Sequence, residues 1–429
     1  MATNLSPQYD TSSAQSSIFK KTNTKVMEAL KSFTEEYGWD DDTPDTRIIP
    51  SANEMRLIVD VQYEVGAGMM DEGGYEMQPT SRPTVSGTFS AVQMNARYSF
   101  STKYDEGWNS GQGKQGQVEN QVVFQAVKKM QAVQELYGQQ FYGFSTGTVA
   151  VVAATGGASA TQTNIQLKDP FGTTLIGSSS ANQLAYLSGL FRVGNGVALV
   201  RSAAIVEFGT VVGVGSSGNG YLSVLFNASC TPTAGDLIVF ANAVTGATLA
   251  ETDYNKWTVG LLDIATSASL HGIATSSYAN WAAYQDSTGG RWSYAKQQKM
   301  ADQLMNNGGA TLDRMAMSQG VYRDVVAGEG TALRYADGDG FDFDWSFRRK
   351  NTQLLSSRLT PPGFVCGWDK TAIGKKNVSD RPAAKGGPDV FSIDKVQDKG
   401  EYAASLNFVM FRTCTNRAGV GLATSLTEQ

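Results

Sequence analysis

Between Val149 and Ala250 only six residues carry charge: Lys168, Asp169, Arg192, Arg201, Glu207 and Asp236. Gly, Ala, Ser, Thr and Val dominate this stretch, and short apolar runs recur in it with turn residues between them. The runs are Leu184–Val193, Val197–Val200, Val211–Val214, Tyr221–Phe226 and Leu237–Phe240. Frequent short strands joined by Gly-rich turns predict a small antiparallel barrel or sandwich. So little charge over so many residues leaves two kinds of exterior, one coated in Ser and Thr or one that meets another protein. The segment 149–256 therefore reads as an inserted β-rich domain. The whole chain has 429 residues. A single core rarely exceeds ~250–300 residues, so at least one further unit is expected around the insert.

The flanks carry different periods. Residues 1–21 are rich in Ser, Gln and Thr and read as a mobile arm. A short helix follows, capped by Thr22 or Asn23, with Val26, Met27, Leu30, Phe33 and Tyr37 at helical spacing and Gly38 to end it. From Asn53 to Tyr104 the period is two. Met55, Leu57, Val59, Val61 and Tyr63 alternate with Arg56, Ile58, Asp60 and Gln62, and a return run covers Phe89–Phe100. The two runs with their Gly-rich connection predict a long hairpin whose tip region holds Met69, Met70, Tyr75 and Met77. These side chains pack on their own domain or fill an irregular surface on a neighbouring subunit. Residues 117–142 are the clearest helix. Val118, Val122, Val123, Ala126, Val127, Met130, Val133, Leu136 and Tyr137 form its apolar stripe, and at ~1.5 Å per residue it runs close to 40 Å. The C-terminal third is mixed. Trp292–Met305 reads as a helix stopped at Asn306-Asn307-Gly308-Gly309, Leu312–Met317 as a strand and Gln319–Val326 as a short helix. Phe364–Trp368, Tyr402–Thr413 and Ala418–Ala423 read as strands.

No catalytic, metal or cofactor constellation emerges. His271 is the one histidine, and there is no GxSxG elbow to pair with it; a structural or surface role is expected. The stretch Asp337–Asp344 looks like a calcium loop, but position five is Phe341, six is Asp342 and twelve is Arg348. Gly213–Gly218 matches GxGxxG inside strand-like sequence and predicts a hairpin turn, because dinucleotide binding needs a helix to follow. Arg348-Arg349-Lys350 and Lys375-Lys376 are charge clusters suited to intersubunit contacts or to phosphates. Cys230, Cys366 and Cys414 are far apart with no CxxC pair, so free thiols are expected. A net charge of −5 argues against a dedicated nucleic-acid binder. No run approaches the ~18 apolar residues of a membrane span, and the N-terminal residues show no secretory signal.

The order of arm, helix, long hairpin, long helix, β insert, mixed body and β return resembles the major capsid proteins of tailed phages, which have the Hong Kong 97-type fold. Residues 1–50 resemble the N-arm and 51–110 the extended E-loop hairpin. Residues 111–148 resemble the spine helix of the peripheral domain, with the exit Gly143-Phe-Ser-Thr-Gly-Thr-Val-Ala150. Residues 257–400 resemble the axial domain. Gly260-Leu-Leu-Asp263 and Gly272–Trp281 open it, and Asn307–Asp313 with Met317–Arg323 supply the most specific match. Residues 401–429, with Asn416–Leu422, resemble the strands that return to the peripheral domain. The insert 149–256 departs from the minimal fold.

The resemblance implies an α+β structural subunit and no enzyme. Hexamers and pentamers of one chain would tile an icosahedral shell around double-stranded DNA, assembled in the host bacterial cytoplasm. Met69, Met70, Tyr75 and Met77 would touch a neighbour, as would Arg348, Arg349 and Lys350. Partners would be the chain itself, a separate scaffolding protein, a portal and a decoration protein. Contact with the packaged DNA would be weak and non-specific, and no membrane is involved. Family members that cross-link join an E-loop Lys to an Asn. No lysine lies between Ser32 and Thr102, so no such link is expected. The short arm and Met1 imply no trimmed scaffolding segment. A second reading is a β-rich tail or adhesion protein that binds a receptor through the insert.

Overall fold

The computed structural model describes residues 54–59, 85–90, 92–101, 128–129, 132, 135–172, 175–176, 181–216, 221–245, 248–332, 347–349, 352–377, 391–395 and 401–428. The arm 1–50, the hairpin tip with Met69, Met70, Tyr75 and Met77, most of the helix expected over 117–142, residues 337–344 and Lys350 lie outside them. The chain is α+β and divides into two compact units. One comprises Met1–Met55, Ser90–Gly138 and Lys375–Arg412; the other comprises Arg56–Phe89, Gln139–Gly374 and Thr413–Gln429.

Strands β1 (Glu54–Val59) and β2 (Val85–Ser90) form a two-stranded sheet. The next strand, β3 (Val92–Ser101), leaves it and pairs antiparallel with β22 (Glu401–Cys414) from Val92↔Met410 to Ser101↔Glu401. The return run expected over Phe89–Phe100 is thus split, and its longer part joins the C-terminal strand. Two-stranded hairpins are marginal in water. A run of ten residues satisfies more of its backbone against a complement of equal length. Strands β20 (Ile373–Asn377) and β21 (Phe391–Lys395) complete this sheet beside β22. In the same unit the guanidinium of Arg412 lies 5.3 Å from the ring centroid of Tyr137. Both residues are buried, and burial pulls the Arg412 pKa down while Tyr137 opposes it.

The charge-poor stretch forms the largest sheet. Its strands are β4 (Thr148–Val152), β5 (Ser159–Ile165), β6 (Leu167–Lys168), β7 (Leu175–Ile176), β8 (Gly196–Arg201), β9 (Ala204–Ser216), β10 (Tyr221–Cys230), β11 (Leu237–Thr245) and β12 (Thr248–Thr252). The order is β5-β10-β9-β8-β11-β4-β6-β7, with β12 on β11. Only Gln166 separates β5 from β6, so the path leaves one chain segment through β10 and returns to it through β4. The sheet closes on itself as a barrel, which removes the edge problem of an open sheet. Strands β8 and β11 are buried on both faces. Ala198, Val200, Val239 and Ala241 pack together on one. On the other, Phe240 meets Phe191 at 5.9 Å and Trp257 at 6.3 Å between ring centroids. The apolar run at Leu184–Val193, expected as a strand, is instead the helix α1 (Ala181–Leu190). It holds no β-branched residue, and leucines at 184, 187 and 190 recur at helical spacing.

The mixed body is a six-stranded sheet in the order β15 (Tyr284–Asp286), β23 (Val420–Ala423), β19 (Val365–Trp368), β16 (Arg314–Met317), β18 (Thr352–Ser356) and β17 (Phe347–Arg349). Helix α2 (Leu261–Thr266), the hairpin of β13 (Ser269–Leu270) and β14 (Ile273–Ala274), α3 (Tyr294–Gly308) and α4 (Gln319–Ala332) surround it. Ser293 caps α3 by accepting from the Lys296 amide, and Gly309 ends it in the left-handed region at φ 59°. Met300, Leu304, Met315, Met317, Val321, Leu354 and Val365 form the core of this body. Residues 401–429 do not stay together, because β23 joins this sheet while most of β22 belongs to the other unit.

Candidate assembly surfaces

Two chain segments, together a neck, connect the barrel to the body, and Phe171 also stacks on Phe364 of the body at 5.2 Å between ring centroids. The chain leaves the helical turn at 135–142, passes Gly143 and enters β4; it comes back after β12 through Asp253–Gly260. The Asn255 amide donates to Thr146 O at 3.0 Å. The Trp257 indole N–H reaches Asp253 Oδ2 at 3.4 Å, and the Ser145 amide donates to Asp263 Oδ2 at 3.2 Å. Gln139 Nε2 donates to Leu190 O at 3.1 Å and fixes α1 over the neck.

Of the barrel's few charges, Asp169 and Asp236 are buried. Arg201 and Asp236 make a two-pronged pair with both contacts at 2.7 Å, and Arg201 also donates to Thr231 O and Thr233 Oγ1. Its outer face is apolar for its size. Among the described residues, five of the seven exposed large hydrophobic side chains lie in this stretch: Val193, Ile205, Val206, Val212 and Leu225. Leu225 stands opposite Thr210 on β9 and Thr161 on β5. Exposed apolar side chains in a stretch with little charge are what a protein contact surface requires. Residues 213–216 of the GxGxxG stretch end β9, and the next described element is its antiparallel neighbour β10 rather than a helix.

Of the charge cluster, Arg348 and Arg349 are on β17, the edge strand of the body sheet, opposite Gln353 and Thr352. Cys366 and Cys414 are buried, and burial pushes both thiols up to about 12. Cys230 is half-buried, and its thiol is raised by burial and then by Glu207.

His271 has a structural place. With φ of 54°, followed by Gly272 at 81°, it forms the two-residue turn between β13 and β14. Its ring lies 3.9 Å from that of Phe89 between centroids, and its carbonyl accepts from the Thr88 amide at 3.0 Å. Burial is the largest cause that lowers its pKa to about 4; Asp263 opposes and Arg417 reinforces. The unfolded chain takes up this proton below about pH 6.5, whereas the folded chain holds off until about 4. Stability is therefore fully present above pH 6.5 and falls as pH drops from 6.5 to 4. The loss is at most roughly 3 kcal/mol. We expect His271→Asn, which keeps a left-handed turn residue, to flatten the urea midpoint across that window. A slope equal to that of the parent chain would show that the imidazole does not titrate there.

Two residues have roles that no sequence signal gave: Arg417, which lies in the Asn416–Leu422 stretch and is buried beneath α2, and Gln162, on the barrel. Each takes its role from segments far away in the chain.

No protein family matches the chain, and no curated protein does. Solved structures similar to it include the cyanophage A-1(L) capsid asymmetric unit, at 12% identity and a TM-score of 0.45, over 89% of this chain and 91% of that one. The satellite phage P4 procapsid is 9% identical at a TM-score of 0.37, over 94% and 91%. The empty GTA particle capsid is 10% identical at 0.37, over 89% and 87%. These neighbours are capsid proteins. At such identities and scores the likeness states what the chain is similar to and carries no argument about how it works.

Proposed function

We propose that this chain is the major capsid protein of a tailed phage, assembling as hexamers and pentamers into an icosahedral shell around packaged double-stranded DNA. The observation that carries the reading is the make-up of the first unit, from Met1–Met55, Ser90–Gly138 and Lys375–Arg412. This joins the segment that resembles the spine helix to the strands that resemble the return. A peripheral domain is composed in that way, with an axial domain formed by the residues between. The pairing of β3 with β22 supports the same order, because it closes the sheet with strands from both ends of the chain.

In this reading the hairpin with Met69, Met70, Tyr75 and Met77 lies on a neighbouring subunit. Arg348, Arg349 and Lys350 make charged contacts at the edge of the body sheet. A separate scaffolding protein and a portal direct closure, and a decoration protein or the barrel itself reinforces the shell. Non-covalent burial holds neighbours together, since the hairpin offers no lysine for a cross-link. Mild net negative charge keeps contact with the packaged DNA weak.

Electron microscopy of the chain expressed with its neighbouring genes tests the proposal. Closed shells or six-membered rings are expected. Monodisperse monomers or trimers at every salt and protein concentration would overturn it in favour of a β-rich adhesion protein.

A further inference from the structure

A cavity of about 240 Å³ opens beside the place where the barrel closes, between the stretch after β4 and strand β5. Its polar lining comes from Thr155, Gln162, Asn164 and Gln166, and its apolar patches from Ile165 and Pro232; none of its lining residues is charged. One feature is built in. Gln162 is 8% exposed, and its Nε2 is within reach of three carbonyls: Gly157 at 2.7 Å, Ser159 at 3.0 Å and Cys230 at 3.2 Å. That fixes the plane of the amide and leaves Oε1 as the group still able to accept. Oε1 accepts from none of the described residues. It stands 3.2 Å from where a Cβ on Gly156 would be, and both residues line the cavity.

We propose that this cavity binds one ring of a neutral saccharide. The lining decides the class. Phosphates and carboxylates call for Arg, Lys or a helix N-terminus, and the cavity has none of these. A nucleobase or a lipid needs aromatic or extended aliphatic walls. An extended peptide needs a run of backbone pairing with pockets for alternate side chains, whereas this is a single hollow. The fixed Gln162 amide, with the Asn164 and Gln166 amides and the Thr155 hydroxyl beside it, matches ligand hydroxyls, which both donate and accept. Thr155 Oγ1 already accepts from the Ala234 amide at 3.3 Å, so its own proton is directed elsewhere. Pro232 and Ile165 offer apolar surface to the C–H face of a sugar ring. The volume is below the roughly 300–1,000 Å³ of drug-sized sites, which suits one ring and a modest affinity.

Saturation-transfer NMR on the full chain tests this, with glucose, galactose, mannose and N-acetylglucosamine as probes at millimolar concentration. Transfer to at least one sugar is expected. Gly156→Val, which fills the hollow next to Gln162 Oε1, should abolish it. Asn164→Ala, at an exposed position that need not disturb folding, should weaken binding about 3–10-fold, the worth of one neutral hydrogen bond. No transfer from any of the four sugars would overturn the proposal. So would transfer unchanged in both variants, which would place the sugar elsewhere. The experiment needs no assembled shell, so its failure is distinct from failure of the capsid reading.

Discussion

Gly260→Ala will lower the urea midpoint of the chain sharply, by the equivalent of about 3 kcal/mol. The backbone at Gly260 is ordinary for an L-residue, with φ −101° and ψ 176°, so conformational freedom is not the reason for glycine. Space is. A Cβ there would sit 2.1 Å from Gly143 O, 2.6 Å from Gln140 O and 2.8 Å from Gly143 C. All three are backbone atoms, and no side chain can swing aside to relieve them. The overlap falls at the neck, where the end of one helical segment meets the start of α2. Relief therefore requires the two segments to separate. Gly260→Ser should be at least as damaging. A variant at parental stability would mean that the neck is looser than these distances imply.

Arg417→Met comes next in expected effect, at about 3 kcal/mol. Arg417 is 2% exposed. Its Nε donates to Ile264 O at 2.6 Å, and Nη2 donates to Ser267 O. These are carbonyls at the C-terminal end of α2, where unpaired acceptors and the negative end of the helix dipole favour a cation. Asp263, one turn earlier, adds attraction, and the Ser267 hydroxyl donates to its Oδ1. Methionine matches the length and the apolar stem but leaves two buried carbonyls without donors. Arg417→Lys should recover part of the loss through a single donor. Equal midpoints for the methionine and lysine variants would show that packing, not the cap, accounts for the role of Arg417. Hydrogen exchange at the amides of α2 separates the cases, because loss of the cap frays the helix locally.

The local periods were legible. Helix α3 stops in the Gly-rich turn where its sequence changes, β16 and β19 fall within the expected runs, and β22 exceeds its expected run by one residue at each end. The strand-rich character of the charge-poor stretch was legible, from turn spacing and the scarcity of charge. Its closure into a barrel was not, since that depends on Gln166 letting one segment pair with β10 before it and β4 after it. The apolar run in α1 is ambiguous in the sequence, because a short apolar stretch fits a buried strand as well as a buried helix, and leucine at every third position favours the helix only once a tertiary neighbour is present. Among site residues, the hairpin tip and Lys350 lie outside the described residues, and Arg348 and Arg349 are placed by their backbone alone.

Sequence alone determined the period of two in which β3 lies, the helix α3 and the Gly-rich turn that ends it, and the scarcity of charge in the barrel. These rest on spacing and composition within a few turns of chain. Tertiary structure decided which strand β3 joins, where Arg417 finds its carbonyls, and that Gln162 turns a fixed amide oxygen toward a cavity. Each pairs residues tens to hundreds of positions apart. Backbone polarity makes every strand a possible partner for many others, and only closure of the whole sheet and core selects one.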